Sequence, residues 1–314
     1  MKGIAAAIAY AAAYAVSAWW LNRQDALPVE EAVMLLLIVG AGFSFLSWVT
    51  TIGIRPIAPA IPRPTAETLV MLVLVAALAT WLVWGKGWVD SLIADLAVDA
   101  AGFGPLLGEL VVKLIIFVAA PFLVMRTLFG HGPAVFGLGR EAWQRLWGRE
   151  GVAAVAIGAA ICAFQYVAGS GAAPIRNGEI SGTALWVGLP LSFLWLLLVV
   201  GLVEEFFFRG IVQTRLAALF RSEFSGLCAM ALIFGLVHAP GIVLRGGGAI
   251  EGLGSSPDWA TAAAYVIVVQ SVAAFYFGIF WMRTRNLPAV MVIHALTDLL
   301  PNLQEFVGPL GLRS

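Results

Sequence analysis

Hydrophobic residues in this chain fall into long, nearly uninterrupted blocks separated by short polar stretches. A helix needs about 17–25 apolar residues to cross a bilayer. Nine blocks approach that length, at 3–21, 32–54, 68–84, 106–125, 152–169, 184–203, 226–243, 260–281 and 287–300. The last is short enough to be expected inside a helix bundle rather than fully across a membrane. The seventh contains Pro240, so its helix is expected to stop near His238 or Ala239, because proline has no N–H to donate. The first block follows Lys2 as a signal peptide would, but it is long for one and lacks a clear cleavage site before Asn22. The pattern therefore predicts an all-α, polytopic membrane bundle of eight or nine transmembrane helices.

Composition supports that class. The 314 residues are 61% hydrophobic and 11% charged, with a mean hydropathy of +0.95, where a soluble domain carries about 25% charged residues. Net charge is zero and no basic tract occurs, which argues against a nucleic-acid partner. Cys162 and Cys228 lie in apolar blocks and read as small core residues, not as a disulfide or metal pair. Several of the 12 Trp, among them Trp19, Trp20, Trp84, Trp88 and Trp281, sit at block ends, where an amphipathic ring suits the headgroup layer.

The basic residues alternate between sides. The N-terminus and the connections after even-numbered blocks hold 12 Lys and Arg, and the opposite connections hold five. The bias of basic loops toward the cytoplasm predicts a cytoplasmic N-terminus, in a cell inner or plasma membrane. The basic stretch 130–151, with an amphipathic segment from Arg140 to Trp147 expected to lie on the membrane surface, is taken as a boundary. It would separate an N-terminal four-span region (1–150) from a C-terminal core (151–314). The Gly- and Ser-rich stretch 245–257 is expected to be a mobile loop.

A charge at membrane depth costs about 2.5–3.5 kcal/mol on the insertion scale, so charges there mark function. Glu204 and Glu205 end a block that is otherwise uncharged, and Arg209 follows. Glu205 and Arg209 are spaced i, i+4 and are expected to pair, leaving Glu204 about 100° away around the helix as the freer carboxylate. Two acidic residues make a poor cap for a helix C-terminus, where they oppose the dipole. Phe234 precedes His238, and His294 precedes Asp298, by the same four residues. Glu109 and Lys113 read as a self-neutralising pair within the fourth block, and His131 as a solvated loop histidine. Two intramembrane histidines with an unpaired Glu point to a catalytic or metal cluster.

Glu204-Glu205-Phe206-Phe207-Phe208-Arg209, Phe234-Gly235-Leu236-Val237-His238 and His294-Ala295-Leu296-Thr297-Asp298 match, in order, the motifs EExxxR, FxxxH and Hxxx(N/D). Over roughly 184–301 the chain thereby resembles the CAAX prenyl endopeptidase and bacteriocin-processing family of intramembrane proteases, the type II CAAX protease group. The resemblance implies a glutamate-dependent endopeptidase acting on membrane-associated peptides within the lipid bilayer. Glu204 and His238 would activate a water, Glu205 and Arg209 would orient the helix with Phe234 in support, and His294 with its motif partner would stabilise the oxyanion. In prenyl-processing members that partner is Asn. Asp298 cannot donate to an oxyanion while ionised, so it is expected instead to accept a hydrogen bond from His294. No cofactor is expected; Zn²⁺ stays open as an alternative, although HExxH is absent and the candidate ligands lie on three helices. Relatives in the family also resemble self-immunity or regulatory proteins, so a non-proteolytic scaffold is a second reading. A proton- or metal-coupled transporter is a third, disfavoured because all three motifs lie in one half of the chain.

Overall fold

The structure, a computed structural model, describes residues 2–96, 103–180, 182–245 and 253–308. Most of the loop expected at 245–257 lies outside the described residues. Among the described residues there is no strand, and eight helices are long and apolar enough to cross a membrane. They are α1 (Gly3–Arg23), α2 (Val29–Thr50), α3 (Pro64–Ile93), α4 (Gly104–Phe129), α6 (Arg149–Ala168), α7 (Gly182–Phe220), α8 (Glu223–Leu244) and α9 (Trp259–Thr284). Two further helices bear on the site: the short α5 (Arg140–Leu146) and α10 (Leu287–Val307). This is the polytopic all-α architecture that the apolar blocks predict. α10 is longer than the block 287–300 because it continues through Pro301, and Leu287, Ala289, Val290, Ile293, Ala295 and Leu303 on it have no exposure.

α7 departs most from expectation. Its carboxylates do not end the helix, which runs on to Phe220. Glu205, Arg209, Gln213 and Arg215 are all fully buried, so Arg209 and Arg215 are helix-interior residues and not loop charges. The α-helical ends of α7, Gly182–Leu196 and Thr214–Phe220, flank a middle in which a single α-helical turn at Val203–Glu205 lies between π-helical turns at Leu197–Leu202 and Phe206–Gln213. Such π turns, bonded i to i+5, are frequent at functional sites.

The chain forms two compact units, Met1–Lys86 with Phe208–Thr284, and Gly87–Phe207 with Arg285–Ser314. Each draws on residues from both sides of position 150. In the first unit the fully buried Arg215 pairs with Glu67 at 3.3 Å and donates to the Gly210 carbonyl at 2.7 Å. Tyr10 on α1 shares a hydrogen bond with Ser271 on α9 at 2.7 Å, and Trp281 donates to Thr214 at 3.3 Å. A buried charge is tolerated only when it is paired and hydrogen-bonded in this way.

In the second unit α10 starts from Asn286, whose side chain accepts from Ala289 N and donates to the Ala142 carbonyl and to Glu150. Arg145 reaches the same Glu150 at 3.0 Å. The short helix α5 is thereby tied to the start of α10, while Trp143 and Trp147 stay exposed. Glu109 and Lys113 pair at 2.9 Å, as their spacing predicts. His131 does not lie in solvent. Gly130 takes a left-handed turn and Pro133 begins a 3-10 turn at Pro133–Phe136, folding the loop back so that His131 is buried against Phe129 and Phe136.

α10 comes very near its neighbours where they carry glycine. A Cβ on Gly201 would stand 3.0 Å from the Met291 carbonyl oxygen and 3.3 Å from Met291 Cα. The obstacle is backbone, which cannot swing away as a side chain tip would. Gly201→Ala is therefore expected to push α10 off α7 and cost about 1–3 kcal/mol, read as a lower melting temperature in detergent. Because Glu204 lies one turn on, the same variant is expected to displace that carboxylate as well.

Candidate active site

Four of the motif residues meet in the second unit. α7 supplies Glu204 and Glu205, and α10 supplies His294 and Asp298 one turn apart. His294 is 4% exposed and Glu205 has no exposure. His294 Nδ1 lies 2.5 Å from Glu205 Oε1. A carboxylate accepts, so Nδ1 carries the proton and donates it to Glu205. The other edge of the ring, Nε2, stands 4.0 Å from Glu204 Oε2 and 3.8 Å from Asp298 Oδ2. The Glu204 and Asp298 side chains keep 20% and 29% of their exposure. One imidazole is thus held from behind by a buried carboxylate and faces two accessible ones.

This corrects the expectation for Asp298. At 3.8 Å it is a charge neighbour of His294 and not its hydrogen-bond acceptor, which is Glu205. Sequence spacing placed Glu205 with Arg209; it could not reveal a partner 89 positions away. Asp298→Asn removes a charge across that 3.8 Å gap and no hydrogen bond to His294. Because His294 is buried and only Asp298 keeps exposure, it is expected to change the rate by about tenfold, roughly the 1.4 kcal/mol of a one-unit change in interaction, while reshaping the pH–rate profile. A loss of a hundredfold would show that Asp298 contacts the reacting atoms directly.

Arg209, Phe234 and His238 belong to the first unit. The Arg209 guanidinium lies over the Phe234 ring at 4.6 Å and the Phe277 ring at 5.0 Å, and the Phe208 ring meets Phe234 edge-on at 5.0 Å. Stacked aromatic faces suit a desolvated guanidinium. Phe234 also serves His238, through its backbone. Pro240 has no N–H to continue α8, and the helix breaks into a turn at Val237 and His238. The His238 N–H turns to the Gly235 carbonyl at 2.9 Å, one residue short of the α-helical acceptor. The Phe234 carbonyl is left to accept from His238 Nδ1 at 2.6 Å. A carbonyl can only accept, so Nδ1 is protonated, and in the neutral ring Nε2 keeps its lone pair. Among the described residues no three His, Cys, Asp or Glu side chains are disposed to hold a metal ion.

A buried imidazole oriented by one carboxylate and facing two partly exposed ones, carried on α7 and α10, is an arrangement suited to acid–base chemistry. Residues 186–300 match the family model described as type II CAAX prenyl endopeptidase Rce1-like. No curated protein and no solved structure matches the chain. The matched segment contains all three motifs, as the resemblance implied. The chain thus carries a domain of the CAAX-type intramembrane protease family, set in an integral multi-pass membrane protein.

Proposed function

We propose that this protein is a glutamate-dependent intramembrane endopeptidase that hydrolyses hydrophobic or membrane-associated peptides. The observation that carries the reading is the buried Glu205–His294 contact. It fixes one ring in one orientation, with Nε2 directed toward the accessible Glu204. Glu204 takes a proton from water as the water oxygen attacks the peptide carbonyl carbon. His238, an acceptor at Nε2 while neutral, shares that proton demand. His294, doubly protonated, donates its Nε2–H to the oxyanion that forms as the C=O π bond opens. Collapse of the tetrahedral intermediate breaks the C–N bond, and the proton held by Glu204 passes to the leaving amine. Every proton is accounted for by these side chains, without a metal ion.

The bias of basic residues, ten against five once the buried Arg209 and Arg215 are left out of the 12, supports a cytoplasmic N-terminus in a cell inner or plasma membrane. The experiment that tests the function compares new peptide N-termini in membranes holding the wild-type protein with those holding Glu204→Ala. Purified protein is then assayed on prenylated and unmodified hydrophobic peptides, with and without a chelator. Termini that vanish with Glu204→Ala, and chelator-resistant cleavage, support the reading. Identical termini and no cleavage of either peptide would leave the non-proteolytic scaffold as the better account.

A further inference from the structure

α10 has a break that the family motifs do not mention. Pro301 lies within the helix, and because it lacks an N–H the carbonyl of Thr297, four residues earlier, loses its helical donor. A carbonyl left without a donor in such a part-buried place is costly, up to about 1–3 kcal/mol. The donor comes from another helix. Gln165 on α6 gives its Nε2–H to Thr297 O at 2.7 Å, and Cys162, one turn earlier on the same helix, contacts the adjacent Leu296 carbonyl at 3.1 Å. A carbonyl acceptor also fixes which way the Gln165 amide is turned. The two helices are close enough for this short reach because Gly158 faces Leu296, where a Cβ would lie 2.3 Å from the side chain.

We infer that Gln165 is a positioning residue of the active site, standing in for the N–H that Pro301 lacks. Thr297 immediately precedes Asp298, and His294 lies less than one turn before it. The Gln165 bond therefore fixes the rotation of the turn that presents both side chains to Glu204. Without it the Thr297 carbonyl tilts toward another donor, and Asp298 and His294 turn with it. This assignment rests on the proposed peptidase reading for its effect on rate, but not for its effect on His294.

The test uses both. The chain has three histidines, so ¹⁵N-histidine labelling of the full-length protein in detergent micelles gives few enough imidazole signals to assign by substitution. Gln165→Leu, which keeps bulk and removes the donor, is expected to displace the titration of His294, whose ring faces Glu204, Glu205 and Asp298. His131 and His238 should be unmoved. On peptide substrate it should lower kcat about tenfold with KM little changed, the scale of a sub-ångström misplacement. Pro301→Ala restores a backbone N–H for Thr297, so in that background Gln165→Leu should have little further effect on either measurement. Gln165→Glu, which sets an acceptor against a carbonyl, should disturb His294 at least as much as Leu does and gives a second route if Pro301→Ala folds poorly. An unmoved His294 titration in both Gln165 variants overturns the inference even if Glu204-dependent cleavage is found. So does an equal effect of Gln165→Leu with and without Pro301. A displaced titration in a protein that cleaves nothing would support the inference and count against the peptidase reading alone.

Discussion

Glu205→Gln is expected to lower kcat by two to four orders of magnitude while the protein stays folded and inserted. Glutamine keeps the shape of the buried side chain but can turn its NH₂ toward His294 Nδ1. The ring must then give up its Nδ1 proton and accept there, which leaves a neutral imidazole that is a weaker donor to the oxyanion at Nε2, or it must rotate. In a serine-protease triad the equivalent change of an orienting carboxylate to its amide costs about 10⁴-fold in rate through the wrong tautomer. Here the ring is 4% exposed, so water cannot readily replace the missing acceptor. The measurement is kcat with the ¹⁵N pattern of His294, which separates a tautomer change from unfolding. A kcat within threefold of wild type would mean that Glu205 serves only to balance charge inside α7.

Glu204→Ala and His238→Ala should each remove measurable peptidase activity, by at least the 10²–10⁴-fold that a positioned acid–base group contributes. Stability should hardly change with Glu204→Ala, whose side chain is partly exposed, whereas His238→Ala removes the donor to the Phe234 carbonyl and is expected to cost about 1 kcal/mol as well. Single-turnover cleavage of a hydrophobic peptide, with circular dichroism as the control for folding, checks both. If Glu204→Ala stays active while Glu205→Ala is dead, the general base is Glu205 and the two carboxylates exchange roles.

Much of this molecule is legible in its sequence because membrane helices announce themselves locally. Block length and charge-free composition predict the spans, and three spaced motifs mark Glu204, His238 and His294. What stays hidden is tertiary. The spacing of Glu205 and Arg209 does not reveal that the backbone from Phe206 to Gln213 takes the wider π turn, nor that Glu205 meets His294 on another helix. The helix was expected to end at its charges, since nothing in α7 alone shows that Arg215 meets Glu67 on α3. His131 was expected in solvent because its burial depends on a glycine turn and two phenylalanines. Gln165 carried no signal of its own, although Pro301 did: a proline inside a helix always leaves a carbonyl in want of a donor.

The two site histidines differ in how mutation can reach them. The Nδ1–H of His238 is received by main chain, so no exchange of the residue at 234 can delete that acceptor; only a change that reshapes the Pro240 turn could. The Nδ1–H of His294 is received by a side chain that one nucleotide change can replace. A lineage of this protein drifting away from hydrolysis would be expected to lose the orientation of His294 first and to keep that of His238 long after, so that sequences with FxxxH intact and the second Glu of the first motif replaced would mark proteins that have kept the scaffold and given up the reaction.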